Sequence, residues 1–201
     1  SPDQGVIRNN LLLHERLGLA IQFPQGWHVR NRPDRVVAMN PAGDALLELQ
    51  PGPKRGRPLE TLQKGVKLDA GARYGSGELG GYPAAFAAGA QASKPVVAAA
   101  VMFKGTQYLI AGMTRDTAAY ERERSALRAT INSFHAITSA EKKTARTYSV
   151  QLITAQPGNT TIAGLARQSP LGADAETQLR LMNGLYPSGE PEPGQLVKIV
   201  Q

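Results

Sequence analysis

Apolar and polar positions alternate at short spacing along most of the first two thirds of the chain, and short turn-forming clusters break the alternation. Leu17 to Phe23 ends at Pro24-Gln25-Gly26, and Trp27 to Asn31 resumes with apolar residues at every second position, the pattern of strands about a turn. Arg35 to Met39 and Ala45 to Leu49 read the same way across Asn40-Pro41-Ala42-Gly43-Asp44, which supplies hairpin chemistry. These segments predict successive antiparallel strands. Leu59, Leu62 and Val66 then recur at helical spacing between Pro58 and Gly71, which predicts one short amphipathic helix covering a sheet face. Strands return with the Ala-rich Tyr82 to Ala92, and with Val96 to Phe103 joined to Tyr108–Met113 through Lys104-Gly105-Thr106-Gln107. The small side chains of this region predict that another element packs close to it. From Thr117 to Phe134, Tyr120, Leu127, Ile131 and Phe134 fall on one side and charged residues on the other, predicting a helix of four to five turns docked on the sheet. Strands followed by helices, without regular strand–helix–strand alternation, make this an α+β chain with a mainly antiparallel sheet and flanking helices.

Between Ile137 and Tyr148 the chain is polar and has no apolar period, so residues 138–147 read as a linker. That divides the protein into 1–137 and 148–201. The tail reads strand, Pro-Gly turn, helix, loop, helix ending in Asn-Gly, Pro-Gly turn, strand: a small βααβ unit.

Charge divides at nearly the same place. The net charge of +7 is the sum of a basic front part and a tail, from Tyr148 on, with three basic and four acidic residues. Arg30, Arg32 and Arg35 form one local cluster and Lys54, Arg55 and Arg57 another; together they are a candidate basic patch for phosphate-rich partners, or a solubilising surface. Nucleic acid is a weak expectation, because the basic stretches lack interleaved aromatics. The longest apolar run, Val96 to Phe103, is eight residues against the roughly 20 of a membrane-spanning helix, so no membrane span is expected. The start, Ser-Pro-Asp-Gln-Gly, reads as that of a processed or excised chain.

The chemistry available is narrow. There is no cysteine, which excludes disulfides, thiolate metal sites and cysteine nucleophiles, and the three histidines lie far apart at His14, His28 and His135. Gly75-Ser76-Gly77 lacks the spacing of a nucleophile elbow and reads as a flexible turn. No phosphate-binding loop motif occurs. Glu121 and Glu123 lie two apart on a helix and point to different faces, while Glu190 and Glu192 read as solvated residues of a Pro-rich loop. These readings point to binding rather than catalysis.

Two resemblances sharpen that. In the tail, Pro157-Gly158-Asn159-Thr160, then Ile162 and Leu165-Ala166, Leu179, Leu181, Asn183-Gly184-Leu185, and Pro193-Gly194-Gln195 with Val197, Ile199 and Val200, resemble the spaced landmarks of the LysM module. LysM modules bind N-acetylglucosamine polymers such as peptidoglycan. The resemblance therefore implies glycan contacts at Gly158, Asn159, Thr160, Thr161, Asn183, Leu185 and Tyr186, each of which also has a reading as a turn, cap or packing residue. In the front part, Phe23-Pro24-Gln25-Gly26-Trp27 and the closing Thr130-Ile131-Asn132-Ser133-Phe134 are similar to PsbP-like domains, with Trp27 as a core anchor.

A segment like Asp3 to Asn10, then a PsbP-like domain, then a LysM-like tail, resembles the C-terminal region of bacterial periplasmic zinc metallopeptidases related to the CAAX prenyl endopeptidases. The resemblance implies a periplasmic or cell-envelope setting and an upstream protease domain that carries the zinc. In this chain His14-Glu15-Arg16-Leu17-Gly18 has glycine where the second histidine ligand would stand, so the fragment itself is expected to be noncatalytic and to hold no cofactor. The expected function is an accessory region that targets the enzyme to the cell wall or to protein partners. A stand-alone peptidoglycan-binding module is the alternative.

Overall fold

A computed structural model describes residues 5–201. Asp3 and Gln4, the start of the segment compared above, lie outside the described residues. In chain order the first elements are β1 (Val6–Arg8), β2 (Leu11–His14), β3 (Leu19–Gln22), β4 (His28–Asn31), β5 (Val36–Met39) and β6 (Ala45–Pro51). Helix α1 (Pro58–Gly65) precedes β7 (Arg73–Leu79), β8 (Tyr82–Gln91), β9 (Lys94–Phe103) and β10 (Thr106–Thr114). Then come α2 (Thr117–Asn132), β11 (His135–Ala136), α3 (Ser139–Arg146), β12 (Val150–Thr154), α4 (Ile162–Gln168), α5 (Ala175–Met182) and β13 (Leu196–Val200). The described residues divide into two compact units, Ile7–Thr138 and Ser139–Gln201, the latter grouped with Gly5 and Val6.

The larger unit is built on a seven-stranded sheet in the order β4-β5-β6-β10-β9-β8-β7, each neighbouring pair antiparallel. The period-2 alternation of β8 and β9 sorts their side chains onto two faces. On one face Ala85, Ala87, Ala98 and Ala100 form a floor of small residues, and α1 lays Leu62 against it with Leu59 and Val66 alongside. On the other face Leu47, Val97, Ala99, Val101 and Ile110 meet Leu127 and Ile131 of α2, together with Phe23, Trp27 and Phe134. Gly112 lets α2 approach closely, since a Cβ there would lie 3.0 Å from a Leu127 methyl. Asp116 opens α2 by accepting a hydrogen bond from the Ala119 amide at 2.9 Å. The Asp116 carboxyl is accordingly held below its ordinary pKa, first by that amide and then by Arg115.

Several expectations need correction. Leu17–Phe23 and Trp27–Asn31 are not partners about one turn, because β3 belongs to a separate four-stranded sheet, order β1-β2-β3-β11, while β4 edges the large one. The β9–β10 hairpin is tighter than a four-residue connection: Thr106 already pairs with Phe103, and Lys104 and Gly105 alone make the turn, both with positive φ. Gly75-Ser76-Gly77 is the middle of strand β7 rather than a flexible turn. The polar stretch read as a linker carries a helix, Ser139–Arg146, with Ala145 buried.

The smaller unit places β12 and β13 side by side, antiparallel, with Val150 opposite Val200 and Thr154 opposite Leu196. Between them in sequence lie α4, a short turn of 3-10 helix at Gly172–Asp174, and α5. After α3, the element order is strand, helix, helix, strand. Ala155, Val197 and Ile199 form its core cluster with Ile153 and Leu165. No helix among the described residues is long and apolar enough to cross a membrane.

Candidate functional site

In the smaller unit the segment before α4 is a compact turn. Gly158 has φ +70°, the amides of Asn159 and Thr160 donate to the Gln156 carbonyl at 3.3 and 3.4 Å, and Thr160 Oγ1 accepts from the Gln156 amide at 2.8 Å. Thr161 is the N-cap of α4, accepting from the Gly164 amide at 3.0 Å. The hydroxyls of Thr160 and Thr161 are thus engaged by backbone. Asn159 is exposed at the crest of the turn.

At the far end of α5, Asn183 is a three-way clamp. Its Nδ2 donates to the carbonyls of Leu179 at 2.8 Å and Lys198 at 2.9 Å, and its Oδ1 accepts from the Lys198 amide at 2.7 Å. It ties the helix end to β13 and has little hydrogen-bonding capacity left for a ligand. Leu185 follows, its amide donating to the Arg180 carbonyl at 2.8 Å. Tyr186 comes next and is 60% exposed.

The two segments are held side by side by a pair of residues that the sequence did not mark as partners. Arg180, only 8% exposed, donates through Nη2 to Glu176 and Glu190 at 2.9 Å each and through Nη1 to the Gly189 carbonyl. Glu190 reaches on with its other oxygen to accept from the Ile162 amide at the start of α4, at 2.8 Å. That amide, then Arg180, hold the Glu190 carboxyl below the usual carboxylate range, and the two carboxylates hold the Arg180 guanidinium above its ordinary value. Glu190 is exposed, as its Pro-rich setting suggested, but its two oxygens are committed to Arg180 and the Ile162 amide. No short-range pattern marks a partner ten residues away across a loop. Of the seven candidates, Gly158, Thr160, Thr161 and Asn183 shape the backbone, Leu185 is half-buried, and Asn159 and Tyr186 face solvent.

The chain is similar to several solved structures. It resembles the cyanobacterial PsbP (CyanoP) from Synechocystis sp. PCC 6803 at 15% identity and a TM-score of 0.46, over 66% of this chain and 96% of that one. It also resembles LpqN, involved in cell envelope biogenesis of Mycobacterium tuberculosis, at 16% identity and a TM-score of 0.37, over 60% of this chain and 83% of that one. A third likeness is to a protein of Bacteroides thetaiotaomicron VPI-5482, with 9% identity and a TM-score of 0.38, over 75% of this chain and 54% of that one. No family model and no curated protein sequence matches the chain.

The basic residues are only partly brought together. Asn31 pairs with Val36 and Val36 with Leu49, so the turn carrying Arg32 and Arg35 lies at the same end of the sheet as the exit of β6 towards Lys54, Arg55 and Arg57. Arg30 projects from edge strand β4 and is exposed. Arg35 is committed to Glu48 at 3.1 Å and approaches Asp34 at 3.8 Å. Fully buried Gln107 holds the second cluster, its Nε2 donating to the carbonyls of Arg55 and Gly56 at 3.0 and 3.1 Å.

The residues compared with a zinc motif do not fit a zinc ion. His14 ends β2, its Nδ1 accepting from the Leu17 amide at 3.2 Å, and Gly18 sits in the left-handed region, so the stretch is a strand and turn rather than the helix such a motif needs. Among the described residues no three histidine, aspartate or glutamate side chains gather for a metal ion. Glu123 receives the Asn40 side-chain amide at 3.2 Å and Arg122 at 3.5 Å, and Glu121 pairs with Arg124 at 3.7 Å. Both are structural ion-pair partners in this fold.

Proposed function

We propose that this chain is a noncatalytic accessory region of a periplasmic zinc-dependent metallopeptidase related to the CAAX prenyl endopeptidases. In this reading the smaller unit is a LysM-like module that holds cell-wall glycan, and the larger, PsbP-like unit engages protein. The zinc belongs to the upstream protease domain. The observation that carries the glycan reading is the pairing of the two landmark loops: Glu190 bridges Arg180 and the start of α4, which leaves the Tyr186 ring and the Asn159 crest exposed. An exposed aromatic ring on a stiffened loop suits the apolar face of an N-acetylglucosamine residue, and the exposed Asn159 amide on the other loop suits the sugar's hydroxyl and acetamido groups.

The test is retention of the 201-residue chain on purified insoluble peptidoglycan at low and raised salt. Salt-resistant retention that Tyr186→Ala weakens supports the reading. Retention that vanishes with salt and survives Tyr186→Ala assigns adhesion to the basic larger unit instead. No retention makes the smaller unit a structural or protease-docking element.

A further inference from the structure

Strand β7 is an end of the seven-stranded sheet, and among the described residues no strand pairs with its outer side. Six of its seven residues, Arg73 to Glu78, are exposed. An open edge of this kind presents unpaired amides and carbonyls, and natural proteins ordinarily cover or blunt one. Here, on the α2 side of the sheet, the edge is instead stripped of side chains. Arg73, Gly75, Gly77 and Leu79 share that face with their partners Ala88, Phe86, Ala84 and Tyr82. The Phe86 ring lies across the space that the glycines leave, 3.2 Å from where a Gly77 Cβ would be, whereas a Gly75 Cβ would meet nothing within 4 Å.

The result is a cleft of about 360 Å³ between the sheet edge and the last turns of α2, lined by Arg73, Tyr74, Phe86, Arg128, Ile131 and Asn132 among others. Its floor is apolar and two arginines stand on its rim. Arg73 has no carboxylate partner among the described residues, and Arg128 donates only to the Tyr120 hydroxyl, at 3.3 Å. The surrounding unit carries 17 lysines and arginines against 10 carboxylates.

We infer that this edge and cleft bind an extended acidic peptide segment, which adds to β7 as an eighth strand. Main-chain hydrogen bonds to Arg73–Glu78 supply the pairing. Side chains on alternate residues of the added strand lie over Gly75 and Gly77 and reach Phe86 and Ile131, so an apolar residue is selected there. A carboxylate on the segment meets Arg73 and Arg128. The inference rests on the reading of the larger unit as a protein-binding element, and names the surface and the chemistry of the partner.

The test is to pan a displayed random octapeptide library on the full chain and titrate an enriched peptide, fluorescein-labelled, by anisotropy. Enriched peptides that alternate apolar residues and include an acidic one are the expected result. Gly75→Val, which fills open space in a strand that accepts β-branched residues, weakens the enriched peptide by about tenfold or more while leaving the thermal melt in place. Arg128→Glu, on the exposed face of α2, weakens it several-fold at low salt and provides a second variant that leaves the strand intact. Methylating alternate peptide amides abolishes binding in one register and spares it in the other.

An enriched peptide that binds wild type and Gly75→Val equally overturns the inference but leaves a protein-binding larger unit standing. A library that yields no binder overturns both. A concentration-dependent dimer in sedimentation velocity that Gly75→Val removes assigns the edge to a second copy of the chain, and likewise overturns the peptide.

Discussion

In the larger unit, helices α1 and α2 lie on apolar residues at opposite faces of a seven-stranded sheet, and Phe103 packs edge-on against Tyr82 and Phe134 at 4.7 and 5.4 Å between ring centres. The smaller unit buries fewer and mostly smaller side chains, Ala155, Ile162, Ala175, Leu179, Val197 and Ile199 among them, and it leaves Val150, Leu152 and Leu196 exposed on its two-stranded sheet. It joins its elements through two polar clamps, Asn183 to β13 and Arg180–Glu190 to α4. A unit of this size buries a smaller share of its surface than a larger domain does, so packing alone fixes its loops less firmly. Directional hydrogen bonds then define where the loops sit, and the exposed residues on those loops are free for contacts outside the fold. The larger unit reverses this division, with structure set by packing and an unfilled strip left at its edge.

The largest effect that would test this contrast is Phe134→Ala, which empties a fully buried site of the larger unit and is expected to cost about 3–5 kcal/mol in urea denaturation. Hydrogen exchange in residues 150–200 should stay unchanged. Asn183→Ala is the counterpart in the smaller unit. It removes three hydrogen bonds and leaves the Lys198 amide and carbonyl without their side-chain partner, for about 1–3 kcal/mol, read as faster exchange of the Lys198 amide while the large sheet stays protected.

Acid gives a third comparison. Asp44 accepts from Asn40 at 2.7 Å and pairs with Arg122, which hold its carboxyl below the usual range; Glu190 is held low in the smaller unit. A carboxyl with a lowered native pKa binds its proton first in the unfolded state. Its stabilisation is present above the ordinary carboxylate pKa of about 4 and is lost as pH falls through the native value. Melting temperatures should therefore drop between pH 6 and pH 3, with Asp44→Asn flattening the slope for the larger unit and Glu190→Gln for the smaller. If either variant keeps the wild-type slope, its clamp does not carry the acid response. The smallest expected change in stability is that of Tyr186→Ala, within about 0.5 kcal/mol by thermal melt for an exposed ring, although peptidoglycan retention falls. A large loss of stability would make Tyr186 a packing residue and remove the basis of the glycan reading.

The elements that were legible in the sequence are those with a buried face. The strands of 82–113 and helix α2 announce themselves because half their positions are apolar, and the Ala-rich floor foretold the close approach of another element, which is α1. Strand β7 is illegible because Arg-Tyr-Gly-Ser-Gly-Glu is exposed on both faces, so burial imposed no period. Helix α3 is missed for the same reason, with Ala145 its one buried residue. In the smaller unit the turn glycines and the Asn183 helix end could be read locally, whereas the helix cap, expected at Asn159 or Thr160, falls on Thr161. The Arg180–Glu190 pair could not, since its geometry depends on how the loop from Asn183 to Gly189 folds back. The cleft was unreadable too, because it is made by side chains that glycine lacks.

Strands β12 and β13 have one further implication. Ser149 and Gln201 exchange two hydrogen bonds, at 2.8 and 3.0 Å, so the backbone enters and leaves the β12–β13 part of the smaller unit, residues 149–201, at almost the same point. Such a unit behaves as a cassette: it can be spliced into a surface loop of an unrelated host without stretching either flank, or be circularly permuted by joining those two residues and reopening the backbone at exposed Gly172. The loops bearing Asn159 and Tyr186 are untouched by either rearrangement, which makes the module portable.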